Sequence, residues 1–278
     1  MKLNEITARS ILTRSRLPEA DYCLNPYVGC GHGCVYCYAR YMQRFSGHSE
    51  PWGSFIDVKV NAPHLLRERL KRMCGRKGRV LLGSATDAYQ QMEHRYGLTR
   101  DLLAALAESE LTVSILTKSD LVLRDVDLLR RLPGCTVGLT VTAADDGLRR
   151  ALEPHAPSVA RRMAALRGLH AAGIATYAFI GPIVPGLTDL PAIFERLGGA
   201  VDAVWGEALN VGGGNWAGLE AALQAHFPAL LPGMRARCRD TAYWDAVEAE
   251  FRGLCDRHGL PLAGFFRHGA RPRPAGGA

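Results

Sequence analysis

The sequence predicts an α/β fold organised on a parallel sheet, and three observations predict it. Short apolar runs alternate with amphipathic, helix-length segments between residues 79 and 209, the βα repeat that builds parallel sheets. Caps and breakers punctuate the repeat at helix spacing, as with Ser158 before one segment and Gly173 after it. The chain has 278 residues, enough for one large core, and barrels of about 250 residues are single domains.

Taken in order, residues 1–20 are polar and arginine-containing, reach Pro18, and read as an N-terminal arm with little structure of its own. Residues 21–29 read as the first strand, leading into a cysteine loop, and a short helix follows through Met42. Residues 46–53 are loop-like. Residues 55–60 alternate apolar and polar side chains, the pattern of a half-buried strand. Asn61 stands where a helix cap belongs, Pro63 falls in the first turn, and residues 64–73 follow as a helix that Gly75 and Gly78 end. Residues 43–78 therefore form an insertion before the second core strand, 79–85. Thr99 caps an amphipathic helix to Glu108, with Leu102, Leu103 and Leu106 on one face. Leu111–Thr117 is a strand rich in β-branched residues, 120–132 a helix and 135–141 a strand. Ser158 caps a helix over 159–172, 174–180 is a strand, Leu190–Leu197 a helix and 202–209 a strand. That places six core strands within residues 21–210. Residues 211–278 form a C-terminal extension, with helices near 219–226 and 242–258 and then a loop rich in glycine and proline.

Hydrophobic residues make up 47% of the chain and charged residues 22%, ordinary for a soluble globular protein. No apolar run reaches the roughly 18 residues of a membrane-spanning helix. The first residues lack a signal-peptide pattern, and eight cysteines in a chain of this size do not suggest a secreted disulfide scaffold. A reducing cytoplasm is the expected location. The net charge of +7, with arginines at 149/150, 161/162, 235/237/239 and 271/273, suits an anionic partner such as a phosphate backbone. It equally suits a solvated surface.

The sequence that carries chemistry is Cys30-Gly31-His32-Gly33-Cys34-Val35-Tyr36-Cys37. Its three cysteines have a C-x3-C-x2-C spacing. Iron–sulfur clusters are normally held by four thiolates, so a compact set of three leaves one iron without a protein ligand, as a three-ligand zinc site leaves a position for chemistry. Cys34 and Cys37 share a face on a helical turn, and Gly31 and Gly33 let the loop fold Cys30 back toward them. A C-x2-C pair also occurs in thioredoxin-like redox sites and as half of a zinc site, although His32 lies too close to the cysteines for an easy tetrahedron.

C-x3-C-x-aromatic-C, with Tyr36 as the aromatic, resembles the signature of the radical S-adenosylmethionine (SAM) enzymes. Residues 24–30, Leu-Asn-Pro-Tyr-Val-Gly-Cys, running into Cys37-Tyr38-Ala39-Arg40, resemble the spore photoproduct lyase-like branch, often described as DNA repair photolyases. The resemblance implies a partial (β/α)6 TIM-type barrel and a [4Fe-4S] cluster on Cys30, Cys34 and Cys37. It also implies SAM on the fourth iron, cleaved reductively to methionine and a 5′-deoxyadenosyl radical that abstracts hydrogen from a substrate. An external low-potential electron donor such as flavodoxin or ferredoxin would supply the electron.

Active sites on such scaffolds lie at the C-terminal strand ends, so the residues there are candidates. Ser84 and Thr86 match a segment along the methionine part of SAM, where hydroxyls could hold its ammonium or carboxylate. Lys118 matches a lysine that contacts the SAM carboxylate in spore photoproduct lyase; a lysine at a buried strand end needs an anion. Thr140 and Thr142 share one face of the fourth strand and suit a ribose contact. Ile183, in Gly181-Pro182-Ile183-Val184-Pro185-Gly186, resembles the apolar wall that packs on adenine, and Asn210 could join the nucleoside site. Tyr36 and Tyr38 match tyrosines beside the cluster, and Tyr38 resembles one in the hydrogen relay. Glu153 reads first as a partner for Arg161 or Arg162 and second as a contact to a SAM hydroxyl. Glu93, His94 and Arg100 lie in a family-like stretch without an assignable chemistry, and Asp125 and Asp127 read as shaping a helix start. Cys23, Cys74, Cys135, Cys238 and Cys255 show no second C-x2-C and read as structural, with an auxiliary cluster on scattered ligands as the lesser alternative.

One departure matters. The cysteine that returns hydrogen to the repaired thymine in spore photoproduct lyase corresponds to Ala85 here. SAM cleavage is therefore implied more firmly than photoproduct repair, for which Cys135 or Cys23 would have to substitute as the thiol. The substrate expected is a nucleic-acid lesion or modified base. The alternatives are a small metabolite or peptide under the same chemistry, or a non-catalytic nucleic-acid-binding module with a structural cluster.

Overall fold

All six strands expected from the βα repeat lie side by side in one sheet. The computed structural model describes residues 1–212 and 214–268, so Arg271, Arg273 and the end of the glycine- and proline-rich tail lie outside the described residues. In chain order the strands are β1 (Lys2–Ile6), β2 (Leu12–Arg14), β3 (Tyr22–Leu24), β4 (Tyr27–Val28), β5 (Phe55–Lys59), β6 (Gly78–Leu82), β7 (Leu111–Thr117), β8 (Thr136–Thr140), β9 (Ala175–Ile183), β10 (Ala203–Ala208) and β11 (Leu262–Phe266). The large sheet has the order β11-β10-β9-β8-β7-β6-β3-β2, and β1-β5-β4 form a small one. From β3 to β11 every neighbouring pair in the large sheet is parallel, and only β2 on β3 is antiparallel. This is the α/β class with a parallel sheet that the sequence predicts.

Strand parity explains the two faces. On β7, Leu111, Val113, Ile115 and Thr117 are buried while Thr112, Ser114 and Leu116 are half-buried. On β10, Val204, Gly206 and Ala208 are buried while Ala203, Trp205 and Glu207 are half-buried. The buried set packs beneath helices, with Val159–Ala171 on β8 and β9 and Thr241–His258 on β10. Leu82, Ile115, Val137, Ala178 and Val204 are fully buried in that core, each large aliphatic stabilising by about 1.5–3 kcal/mol. The other face is the more open concave side of the sheet.

Several expectations are corrected. Residues 1–20 are not bare arm: β1 pairs with β5 and β2 with β3, because a polar segment can still satisfy its backbone along an open sheet edge. The first strand breaks at Asn25-Pro26, so Tyr22–Leu24 enters the large sheet and Tyr27–Val28 the small one. Residues 55–58 are buried on both faces, since β1 and β4 flank this strand and the cysteine loop lies against it. Asn61 makes no cap bond; its side chain pairs with the backbone N–H and carbonyl of Ala8 at 2.9 Å each. Thr99 lies inside helix Leu98–Leu106, and its hydroxyl donates to the Ala88 carbonyl at 2.5 Å. The segment after Cys37 is a 3-10 helix, Tyr38–Phe45. The helix expected over 120–132 is a 3-10 turn, Asp120–Asp125, followed by Val126–Leu129. Further elements come in addition: helix Asp146–Leu152, capped by Asp145, the short helices Glu93–Tyr96 and Met234–Arg237, the 3-10 turn Pro228–Leu230, and β11, which extends the sheet beyond β10. Ser158 caps its helix by accepting from Arg161 N–H, and helix Leu190–Leu197 has the expected bounds.

Candidate active site

The cysteine loop follows β3 and β4 at the end of the sheet where the parallel strands finish. Its path depends on glycine. Gly29 and Gly33 have φ of +80° and +64°, a region that side chains resist. A Cβ on Gly29 would collide with the carbonyl and ring of Phe55, and one on Gly53 would stand 2.6 Å from the Cα of Gly33. The small sheet thus buttresses the loop backbone to backbone. Gly33 N–H donates to the Cys30 carbonyl at 3.3 Å, Cys37 N–H to Cys34 at 3.2 Å and Val35 N–H to Leu152 at 2.9 Å. Gly31 N–H donates to Gln90 Oε1 at 2.8 Å. Gln90 in turn donates to Thr86 Oγ1 at 3.1 Å, and Thr86 donates to the Gly29 carbonyl at 2.6 Å.

Cys30 and Cys34 are buried and Cys37 is half-buried, all as free thiols. Burial pushes all three up, Cys30 to about 12, and charge on Cys37 would raise Cys30 and Cys34 further. Thiolates can form here only with a compensating cation, so metal binding and proton release are coupled. Among the described residues no three His, Cys, Asp or Glu side chains form a group that could hold a metal ion. The thiolates of an iron–sulfur cluster need not meet at one ion, because each binds a different iron. A short glycine-shaped loop carrying two buried thiols and one half-buried thiol fits that group.

Beside the loop lies a buried charge cluster centred on Glu153, which is fully buried. Its carboxylate accepts from Tyr36 and Arg162, and from Thr142 Oγ1 at 2.9 Å. Arg162, 1% exposed, also donates at 3.0 Å to the carbonyls of Thr140 and Pro157. Lys118 Nζ stands 3.9 Å from Glu153 and 5.8 Å from the centre of the Tyr36 ring. Burial alone would push the Glu153 carboxyl up, but the Arg162 and Lys118 charges hold it well below the usual carboxylate range. Burial opposes the Lys118 charge, and Cys34 and Glu153 outweigh it and raise the ammonium. Asp87 ties three segments together: it accepts from Thr117 Oγ1 at 2.6 Å and from Lys118 N–H at 2.8 Å, and lies 3.1 Å from His32 Nε2.

The structure therefore brings Cys30, Cys34, Cys37, Tyr36, Lys118 and Thr142 into one neighbourhood. Other expected contacts are occupied within the protein. The Tyr36 hydroxyl serves Glu153, and Thr86 holds the loop. Ser84 Oγ accepts from Asn25 at 3.0 Å, and its carbonyl accepts from Tyr38. Tyr38 is 48% exposed and lies at the rim. Thr140 meets the cluster through its carbonyl, and Ile183 is packed in the core. Asn210 Oδ1 accepts from Gly212 N–H at 2.8 Å. Glu153 pairs with Arg162, while Arg161 pairs with Asp120 at 2.8 Å.

Three residues carry more of this arrangement than the sequence reading assigns. Gln90 and Asp87 sit beneath the loop. Asn215, fully buried, donates to the carbonyls of Tyr36 at 2.8 Å and Asn210 at 2.7 Å, joining the cysteine loop to the end of β10. The Asp87-Ala-Tyr-Gln90 run directly after a strand end was the available signal for the first two; a lone asparagine after three glycines gives none. Glu93, Arg100, Asp125 and Asp127 form a structural ion network with Arg124, whose guanidinium lies 2.7 Å from Glu93 and 2.8 Å from Asp125. Cys135 immediately precedes β8, at the sheet end opposite the loop, whereas Cys23 lies on β3, the strand that leads into the loop.

Comparison with known proteins agrees with this geometry. The family model described as "Radical SAM superfamily" matches residues 24–195. An uncharacterized protein of Methanocaldococcus jannaschii is 36% identical over 211 residues, 76% of this chain and 79% of that protein. An uncharacterized protein of Mycobacterium bovis is 33% identical over 223 residues, 75% of this chain and 65% of its own length. The "Radical SAM Nalpha-GlyT isomerase" of Pseudomonas phage M6 is 28% identical over 176 residues, 62% of this chain and 36% of that protein. Among solved structures, spore photoproduct lyase complexed with dinucleoside spore photoproduct superposes with a TM-score of 0.70 at 16% identity, covering 95% of this chain and 82% of that one. The fold is thus that of spore photoproduct lyase, and the chain belongs to the radical SAM superfamily of enzymes.

Proposed function

We propose that Cys30, Cys34 and Cys37 hold a [4Fe-4S] cluster, that SAM binds beside it, and that the substrate is a nucleic-acid lesion or modified base. The observation that carries the reading is the glycine-shaped loop of three thiols, two buried and one half-buried, set beside the half-buried Lys118 ammonium. With cluster and SAM bound, one electron from an external donor cleaves SAM to methionine and a 5′-deoxyadenosyl radical, which takes hydrogen from the substrate. Lys118 offers a charged donor to the SAM carboxylate and is held in place by Glu153. Ser84 and Thr86 border the methionine part and shape the backbone there. Thr140, Thr142 and Asn210 flank the nucleoside, and the segment around Ile183 bounds its base. Tyr36 closes the loop against Glu153, and Tyr38 at the rim is the candidate relay residue, with Cys23 rather than Cys135 as the nearby thiol.

The nucleic-acid reading has its own support. Tyr41 and Phe45 are 40% and 69% exposed beside Tyr38. Arg44 lies 5.8 Å and 4.7 Å from the ring centres of Tyr41 and Phe45. Exposed aromatics interleaved with arginine are a stacking and phosphate-binding surface. The spore photoproduct lyase of the same fold is complexed with a dinucleoside photoproduct, which favours the same class.

The test is anaerobic. Reconstituted, reduced protein mixed with SAM should yield 5′-deoxyadenosine, and Cys34→Ala should abolish it. Intact SAM after full reconstitution overturns the reading. Salt-insensitive substrate binding would redirect it to a small molecule or peptide.

A further inference from the structure

The concave face of the large sheet carries an aromatic wall that the SAM-cleaving apparatus does not use. Parity puts Tyr177 and Phe179 of β9, Trp205 and Glu207 of β10 and Phe266 of β11 on the half-buried side of the sheet. Trp205 pairs in register with Phe179, and Glu207 with Phe266. The rings of Trp205 and Phe266 are stacked, 5.1 Å apart and 5° from parallel, and Phe266 lies 6.3 Å from Phe179. Glycines clear the space these rings need. A Cβ on Gly264 would meet the Trp205 ring, and a Cβ on Gly181 would stand 2.8 Å from the Phe179 ring and 2.7 Å from Glu207 Cβ.

At the loop end of this wall stands a carboxylate, Glu207, 22% exposed, with His268 Nε2 3.0 Å from its Oε1. It is the penultimate residue of β10, and a Cβ on Gly181 would stand 3.2 Å from its Oε2. The Gly181 carbonyl accepts from Thr142 Oγ1 at 2.8 Å, so Glu207 lies at the strand ends that carry the site. Flat apolar rings beside one charged acceptor suit a planar heteroaromatic group that stacks on its face and presents N–H donors at its edge. An ionised carboxylate accepts only. It matches an exocyclic amino group or adjacent N–H groups, and opposes a ring edge flanked by carbonyl oxygens.

We propose that the concave face binds a nucleobase-like ring bearing an amino group, stacked against Trp205, Phe266 and Phe179 and selected by Glu207. This deepens the reading above by naming the chemistry of the substrate, and it rests on that reading for the location of the reacting end. Glu207 acts as a specificity residue: it favours cytosine- and guanine-type edges, and rejects a thymine-type edge whose N3–H lies between two carbonyls.

Equilibrium dialysis of wild-type, cluster-loaded protein against deoxyguanosine, deoxycytidine and thymidine tests this directly. The first two should bind about tenfold tighter than thymidine, the discrimination expected of one good edge contact. The isosteric Glu207→Gln can donate to a carbonyl, and should lose most of that preference while still yielding 5′-deoxyadenosine from SAM. Trp205→Ala should weaken all three nucleosides about tenfold, as removal of a stacking ring does, and Trp205→Phe should restore most of the loss. Equal binding of thymidine and deoxycytidine to wild type, or an unchanged preference in Glu207→Gln, overturns the proposal. Failure of SAM cleavage with the preference intact would overturn the reading of the reaction and leave this one standing.

Discussion

Replacing Glu153 with glutamine keeps the shape of the side chain and removes its charge. In the native protein that charge faces two cations: the buried Arg162, which is 1% exposed, and the half-buried Lys118 at 3.9 Å. Removing one partner of a buried pair leaves an uncompensated charge and costs about 3–5 kcal/mol. Glutamine still accepts from Thr142, and Arg162 keeps the carbonyls of Thr140 and Pro157, so the lower end, about 3 kcal/mol, is expected. At about 2 °C or more per kcal/mol for a chain of this size, the melting point falls by at least about 6 °C. Equilibrium guanidinium unfolding, followed anaerobically by circular dichroism, measures the loss. The pH dependence provides a second check. The Glu153 carboxyl is depressed in the folded protein, so its contribution is present above the unfolded value of about 4.3 and is lost as pH falls through the folded value. The gap between wild type and Glu153→Gln should therefore be full at neutral pH and shrink below about pH 4. A gap under about 1 kcal/mol at pH 7, or one that does not change with pH, refutes the account of Glu153 as the counter-charge of this cluster.

Gly53→Ala places a methyl 2.6 Å from the Cα of Gly33 at φ +94°, and should cost about 1–3 kcal/mol from backbone strain alone; lowered iron retention after reconstitution would show that the loop has shifted. Lys118→Met removes a charged donor and should weaken retention of SAM in dialysis about tenfold or more, while iron content stays at the wild-type level. His48 lies between Asp57 Oδ1 at 2.9 Å and Glu50 Oε2 at 3.0 Å; burial lowers its pKa, and these carboxylates outweigh that and raise it. Its contribution is full below about pH 6.5 and is lost as pH rises through the higher folded value, so the stability difference between wild type and His48→Gln should narrow on going from pH 6 to pH 9.

The parts of the fold that were legible in the sequence are those governed by local periodicity. The β7 run Leu111–Thr117 and the helix Leu190–Leu197 have the bounds that their patterns predict. The pairing that builds the small sheet was not legible: β5 is the strand expected at 55–60, but β1 owes its existence to a partner some fifty residues away, as Lys2 to Phe55. The β5 pattern read as half-buried because polar Asp57 alternates with apolar neighbours; its carboxylate is buried against Asn4 and His48, a tertiary satisfaction invisible in one segment. In the site, the three cysteines declare themselves by spacing, whereas hydroxyl roles do not. Thr86 and Tyr36 have the chemistry to touch a cofactor, yet a single neighbouring carbonyl or carboxylate decides where each hydroxyl points.

Lys118 gives the site an asymmetry between its empty and loaded forms. Among the described residues its ammonium has Glu153 at 3.9 Å and no closer anion, and Glu153 is already shared with Arg162. A carboxylate-bearing ligand arriving there would complete a charge balance that the polypeptide leaves open, and a ligand that prefers the folded state stabilises it by mass action. Resistance to heat is therefore a readout of occupancy at this position. Screening simple carboxylates by melting temperature would map the preferred shape of the anion without any turnover, before oxygen-sensitive chemistry is attempted.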